Sequence, residues 1–243
     1  MMKFRVQRLA ETASTNDDAR RAAEAGEAEG YVVVAEKQTA GRGRQGRAWE
    51  SPPGNLYCSV LLRPPGEAAD IGRYSFVAAN AMYDTVRQCL PVADITLKWP
   101  NDVLVEGEKI GGILLEAAGE ALVVGIGLNI LHHPEEGLYP STSLLAAGSN
   151  LKSPDEILEK LLLNLGHWAG VLEQEGFAPV RADWLKHAQK GPLKVRLPKG
   201  TIEGEFVGLD DHGRLLLHLA DGSEQAIATG DVFFAQEIHA TRH

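Results

Sequence analysis

Residues 31–62 read YVVVAEKQTAGRGRQGRAWESPPGNLYCSVLL, and the division of this stretch into strand, loop and strand decides the fold. YVVVAE (31–36) and LYCSVLL (56–62) are short apolar runs that read as buried strands. Residues 37–55 between them far exceed the usual connection of about 4–6 residues, and loops so long are generally functional or disordered. Gly41-Arg42-Gly43-Arg44-Gln45-Gly46 formally matches the dinucleotide fingerprint Gly-x-Gly-x-x-Gly. That fingerprint needs a helix opening at the loop to hold a pyrophosphate, whereas here Ser51-Pro52-Pro53-Gly54 and a second strand follow. A doubly wound nucleotide fold is therefore disfavoured. What sets the loop apart is Arg42, Arg44 and Arg47 within six residues, spaced by glycines. Arginine forks match carboxylate and phosphate geometry, and glycines let backbone N–H groups approach an anion. The loop reads as a cover for a negatively charged ligand; the alternative is a solvated charge run.

Working outward, Trp49 either stacks on a base or covers a core edge. Further on, Lys98-Trp99-Pro100-Asn101-Asp102 ends one strand and starts the next, with Pro100 enforcing a non-helical corner. Lys109-Ile110-Gly111-Gly112 opens another strand, so Lys98 and Lys109 flank a hairpin and can converge on one anion. Asp102 is placed to accept a proton or orient an amine; surface lysines and a turn aspartate are the alternative. Asn129 ends the apolar run 123–128, where a buried amide needs a partner, either ligand or backbone. His132, His133, His239 and His243 read as solvated rather than metal-binding.

Thr15 and Asp18 fit an acidic capping box for a helix ending at Gly26, and helix is expected from about Asp70 to Cys89. Strands are expected at 94–98, 102–106, 109–117 and 121–129. Ser153-Pro154-Asp155-Glu156 starts a long helix that ends near Gly176, with a shorter one to about Lys190. Short alternating runs at 193–197, 201–208, 214–219 and 224–228, punctuated by glycine turns, predict a small barrel. The expected division is 1–189 and 190–243.

The 243 residues are 44% hydrophobic and 23% charged, an ordinary globular composition. A formal net charge of -9 argues against a general nucleic-acid binder. Cys58 and Cys89 have no metal or redox spacing and read as free buried thiols. Neither a secretory leader nor an apolar run of about 20 residues is visible, so a cytoplasmic protein without membrane contact is expected.

Four segments in this order resemble biotin protein ligases: Ser14-Thr15-Asn16; residues 38–49 from Gln38 to Trp49; Lys98 to Asp102 with Lys109 to Gly112; and Gly125-x-Gly127-x-Asn129. The resemblance implies an α+β class II aminoacyl-tRNA synthetase-like core with a mixed sheet, plus a C-terminal SH3-like barrel. It implies that biotin is activated with ATP and Mg²⁺ to biotinyl-5'-AMP and transferred to a lysine of a biotin carboxyl carrier protein of acetyl-CoA carboxylase. It also implies positions. Ser14, Thr15, Asn16, Gln38, Gly111 and Gly112 would bind biotin, with Arg42, Gly43 and Arg44 covering biotin and its adenylate. Lys109 would meet the carboxylate and later the phosphate. Arg47, Trp49 and Asn129, with Arg42, Arg44 and Lys109, would serve ATP. Arg44, Lys98, Asp102 and Lys109 would be catalytic, Asp102 orienting or deprotonating the acceptor lysine, and no protein metal site is implied. A homodimer is expected by resemblance. Bifunctional members carry a DNA-binding helix-turn-helix, but thirteen residues before Ser14 are too few for one, so no DNA binding is expected. Two other functions compete: a lipoyl or octanoyl ligase or transferase, whose members lack this pairing of motifs, and a non-catalytic sensor, against which Lys109 and Asp102 argue.

Overall fold

The computed structural model describes residues 2–64, 71–135, 137 and 139–234. Its larger part is a seven-stranded mixed sheet built from β1 (Arg5–Thr12), β2 (Tyr31–Gln38), β3 (Leu56–Leu62), β4 (Ile95–Lys98), β5 (Asp102–Val105), β6 (Glu108–Ala118) and β7 (Ala121–Leu128). The spatial order is β1-β2-β3-β7-β6-β5-β4. Only β1 and β2 pair in parallel, and the crossover between them is α1 (Thr15–Glu24). Helices α2 (Arg73–Cys89), α3 (Pro154–Glu175) and α4 (Phe177–His187) cover the opposite face.

The residues of β3 and β7 explain both layers, because side chains alternate across a strand with period two. Cys58, Val60 and Leu62 of β3 and Leu122, Val124 and Ile126 of β7 join the large core beneath the three helices. Leu61, Ala121 and Val123, of opposite parity, pack under α1 with Ala19, Tyr31 and Val33. Farther along that second face the sequence turns small and polar, with Ser59, Gly125 and Gly127. The apolar layer stops there, and a ligand pocket opens in its place. The Cys58 thiol is buried under the sheet, and burial pushes its pKa up to about 12, so it is an inert packing group.

Most expected elements form. Ser153 caps α3, its hydroxyl accepting from the Glu156 backbone N–H, with Pro154 in the first turn and Gly176 at φ +82° ending the helix. The capping box at Thr15 does not form: Ser14 is the N-cap without a side-chain hydrogen bond, and the Asp18 carboxylate instead accepts from the Thr12 hydroxyl at 2.5 Å. Gly26 follows the helix at φ +85°, as read. Helix α2 begins at Arg73, and Asp70 lies outside the described residues. The sequence reading omitted β1, whose half-exposed, highly charged pattern gives no apolar run.

The smaller part contains β8 (Pro192–Leu197), β9 (Gly200–Leu209), β10 (Leu215–His218), β11 (Glu224–Ile227) and β12 (Asp231–Phe234), all antiparallel in the order β11-β10-β9-β8-β12. The expected small sheet is present, but no β11–β12 pairing closes it into a barrel among the described residues. Leu193, Val195, Leu215, Leu217 and Phe234 belong to the same apolar cluster as the main core. The buried Trp99 indole N–H donates to the Gly213 carbonyl at 3.0 Å, and Phe76 packs on the same turn. The two sheets are thereby held together at a fixed angle beside the pocket.

Candidate active site

The pocket, about 280 Å³, lies between α1, the arginine loop, the β4–β5 corner, β6, β7 and the start of β12. Of the residues expected there, Ser14, Thr15, Asn16, Gln38, Arg42, Gly43, Arg44, Arg47, Trp49, Lys98, Asp102, Lys109, Gly112 and Asn129 all line it. Gly111 does not. It pairs with Leu128 across the sheet and faces the core, where an added Cβ would lie 2.6 Å from Met82 Sδ. Its neighbour Gly112 pairs with Gly127 and faces the pocket.

One end of the pocket is polar and densely bonded. Gln38 Oε1 accepts from the Thr15 backbone N–H at 2.9 Å and from its hydroxyl at 3.1 Å. Ser59 donates to Asn16 Oδ1 at 2.5 Å, and Asn16 Nδ2 donates to Glu116 Oε2 at 2.8 Å. Glycine permits this arrangement. A Cβ on Gly125 would lie 2.2 Å from Asn16 Oδ1, and one on Gly127 would lie 2.7 Å from the Trp49 ring. The Gly-x-Gly of β7 is thus a bare floor on which Asn16 and Trp49 lie flat.

The arginine loop is a hairpin, closed by pairing of Arg42 with Ala48 and a Trp49 N–H bond to the Gly41 carbonyl at 2.9 Å. Its three arginines have different partners. Arg42 forks onto Asp17 with two 2.8 Å bonds and also donates to Glu116 at 3.0–3.2 Å. Hydrogen bonding to Asp17 raises the Arg42 pKa, and Arg42 in turn holds the Asp17 carboxyl below its usual range. Arg44 reaches the Gly230 carbonyl at 3.2 Å, the Thr229 hydroxyl at 3.3 Å and Asn101 Oδ1 at 3.4 Å, and burial lowers its pKa. Arg47 donates to Asp231 at 2.7 Å, and Arg196 donates to the other oxygen of the same carboxylate at 3.2 Å. Burial alone would raise the Asp231 pKa; hydrogen bonds from Arg47 and Arg196 outweigh it and hold the carboxyl low.

Beside the loop tip, Lys109 Nζ lies 2.6 Å from Asp102 Oδ1, and the buried Lys98 ammonium sits 3.9 Å from the Tyr139 ring centroid. Lys98 and Lys109 therefore do converge on one cavity. The Asn129 amide donates to the Thr142 carbonyl at 3.0 Å, which fixes its orientation from the backbone side. The Trp49 Nε1–H is buried and has no acceptor among the described residues, a donor available to a bound molecule.

The sequence reading did not single out Tyr139 and Asp231, which line the pocket, or Asp17, Ser59 and Glu116, which bond to side chains that do. Ser59 and Glu116 carry a usable signal, a polar residue at pocket-facing parity in an otherwise apolar strand. Asp231, Tyr139 and Asp17 are recognisable only from their neighbours in space. No group of three metal-ligating side chains exists among the described residues. Of the carboxylates that line the pocket, Asp102 pairs with Lys109 and Asp231 with Arg47. Among the described residues no helix is long and apolar enough to cross a membrane.

A mixed sheet bearing a cation-rich pocket, covered by a loop that docks on a second small sheet, defines an α+β enzyme core for an anionic small molecule. The chain belongs to the biotin/lipoate A/B protein ligase family, whose profile matches residues 6–131; the profile of the biotin protein ligase C-terminal domain matches residues 192–235. It is 40% identical over 239 residues to a biotin–[acetyl-CoA-carboxylase] ligase of Paracoccus denitrificans, covering 93% of this chain and 99% of that one. It is 32% identical over 223 residues to the bifunctional ligase/repressor BirA of Bacillus subtilis, covering 86% of this chain and 68% of the relative. The structure of a biotin protein ligase from Aquifex aeolicus in complex with biotin and ATP superposes with a TM-score of 0.83 at 28% identity. That match covers 95% of this chain and 99% of the other.

Proposed function

We propose that this chain is a biotin protein ligase, which makes biotinyl-5'-AMP from biotin and ATP and then acylates a lysine of a biotin carboxyl carrier protein. The observation that carries this reading is the polarity of the pocket: an uncharged hydrogen-bonding end at Thr15, Asn16 and Gln38, and a cationic end at Arg44, Arg47, Lys98 and Lys109. Biotin has the same polarity, a neutral ring at one end and a carboxylate at the other.

In the first step the biotin carboxylate oxygen attacks the ATP α-phosphorus and pyrophosphate leaves. Negative charge on the phosphoryl oxygens grows in the transition state, and Lys109 and Arg44 are positioned to offset it. Arg47, Trp49 and Asn129 line the part of the pocket assigned to the nucleotide. In the second step the neutral amine of the acceptor lysine attacks the acyl carbon and AMP leaves. Asp102, buried next to Lys109, orients the incoming amine and takes its proton. Mixed anhydrides hydrolyse readily, and a loop pinned to the second sheet by Arg44 and Arg47 excludes water from the adenylate. Mg²⁺ bound with ATP would supply further positive charge at the phosphates, beside that of Arg44 and Lys109.

The same reading carries a division into 1–189 and 190–243, an SH3-like small domain, a cytoplasmic location and a homodimer. Mass spectrometry of the chain with biotin, ATP and Mg²⁺, with and without a lysine-bearing carrier domain, tests the function. Biotinyl-adenylate without carrier and singly biotinylated carrier with it are the expected products. Tight biotin binding without adenylate, or adenylation of lipoate in its place, overturns the reading.

A further inference from the structure

Arg42 is an unusual member of a loop built to meet an anion. Its guanidinium touches two carboxylates at once: Asp17, from the first turn of α1, in a bidentate fork, and Glu116, from the far part of β6. Arg20 also bonds to Asp17, so the cluster carries two positive and two negative charges. Glu116 also accepts from the Asn16 amide, which leaves Asn16 Oδ1 to accept from Ser59. The Thr15 hydroxyl lies 2.8 Å from the Ser59 oxygen and 3.1 Å from Gln38 Oε1, with one proton to give to either, and the Thr15 backbone N–H donates to Gln38. A run of polar contacts therefore extends from Asp17 through Arg42 and Glu116 to Asn16, Ser59, Thr15 and Gln38. At the other end Arg44 hydrogen-bonds, among the described residues, to neutral oxygens, and Arg47 shares Asp231 with a second arginine.

We propose that Asp17 and Glu116 are specificity-determining positioning residues: they hold Arg42 across the pocket and cancel its charge, so that this end accepts an uncharged ring and refuses a carboxylate. A guanidinium without these partners would offer a fork for a carboxylate at the wrong end of the cavity. A ligand with a carboxylate at one end only would then bind in two directions, one of them unproductive. The two acids thereby set ligand direction by electrostatics, while the run of polar contacts fixes the tilt of the Asn16 amide. This inference rests on the biotin reading above.

The test is inhibition of biotin-dependent pyrophosphate release by sebacate, a linear dicarboxylate that presents a carboxylate to both ends. Wild-type turnover of biotin is measured first, and its absence overturns the biotin reading and this inference with it. In the wild-type enzyme sebacate should inhibit weakly. In Asp17→Asn combined with Glu116→Gln its inhibition constant should fall about tenfold, the size of one charge-assisted pair, while the KM for biotin rises. Adding Arg42→Gln to that variant should abolish the gain, because the effect runs through the guanidinium. Improved binding of a charged ligand is not a result that general loosening of the fold produces. Asp17→Asn alone, in a partly exposed first turn, should show a smaller gain in the same direction and serves if the double variant does not fold. Sebacate inhibition that is unchanged in the Asp17 and Glu116 variants, or a gain that survives loss of Arg42, overturns the assignment.

Discussion

Replacing Gly125 by alanine tests the reading of the pocket floor at a single methyl group. The added Cβ would lie 2.2 Å from Asn16 Oδ1, 2.9 Å from its Cγ and 3.0 Å from its Nδ2. Ordinary carbon–oxygen contact begins at about 3.3 Å, so the amide must retreat by about 1 Å. Retreat breaks the 2.5 Å bond from Ser59 and the 2.8 Å bond to Glu116, because both partners are strand residues that cannot follow. Overpacking and two lost hydrogen bonds together cost about 3 kcal/mol, or about 6–12 °C in Tm for a chain of this size. A displacement of about 1 Å at a positioning group lowers the rate of a bound reaction by about 100-fold. The expected result of steady-state pyrophosphate release is therefore kcat/KM for biotin reduced about 100-fold, with the KM for ATP changed less than about threefold. A kcat/KM for biotin within twofold of wild type would refute the assignment of Asn16, and of the β7 glycines as its floor.

The remaining perturbations address the loop, the reacting centre and the scaffold. Arg44→Gly removes all three of that side chain's bonds to Asn101, Thr229 and Gly230; adenylate should dissociate at least tenfold faster in a trap experiment, the scale of one or two lost hydrogen bonds, and unchanged retention would remove the cover role. Lys109→Ala should depress both adenylate formation and transfer by about 100-fold or more, while full activity in either half-reaction assay would dismiss it. Burial lowers the His187 pKa from 6.5 despite Asp183 and Asp84 nearby, so the unfolded chain binds the proton more readily. That contribution to stability is fully present above pH 6.5 and is lost as the pH falls below it; denaturant titrations at stepped pH should show this slope flattened in His187→Phe. Gly170 sits inside α3, and an added Cβ would meet the end of the Gln174 side chain at an ordinary contact distance of 3.9 Å, so Gly170→Ala should raise stability by about 0.5–1 kcal/mol in the same titrations.

Several elements were legible because their signals are local. The paired glycines and arginines of 41–47, the Lys98–Asp102 corner and the capped start of α3 each carry their chemistry within a few residues, and the structure brings all but Gly111 of the expected site residues to one cavity. Gly111 misled because adjacent strand positions face opposite sides, and a Gly-Gly pair does not state which member faces the ligand. Strand β1 was missed for a related reason: a charged edge strand buries too little apolar surface to show periodicity.

By itself the sequence determined the strand–loop–strand frame, the arginine cover, the lysines at the reacting centre and the small all-β segment. These follow from backbone propensity, hydrophobic period and residue chemistry, all of which act over a few neighbours. The tertiary structure alone decided what each charge is for. Arg42 is neutralised by Asp17 and Glu116, Arg47 is bound to Asp231 at the far end of the chain, and Arg44 is held by carbonyl and hydroxyl oxygens of the second sheet. Those pairings join residues up to 186 positions apart. A local pattern does not encode them, because the electrostatic role of an arginine depends on which carboxylates the folded backbone brings within about 3 Å of it.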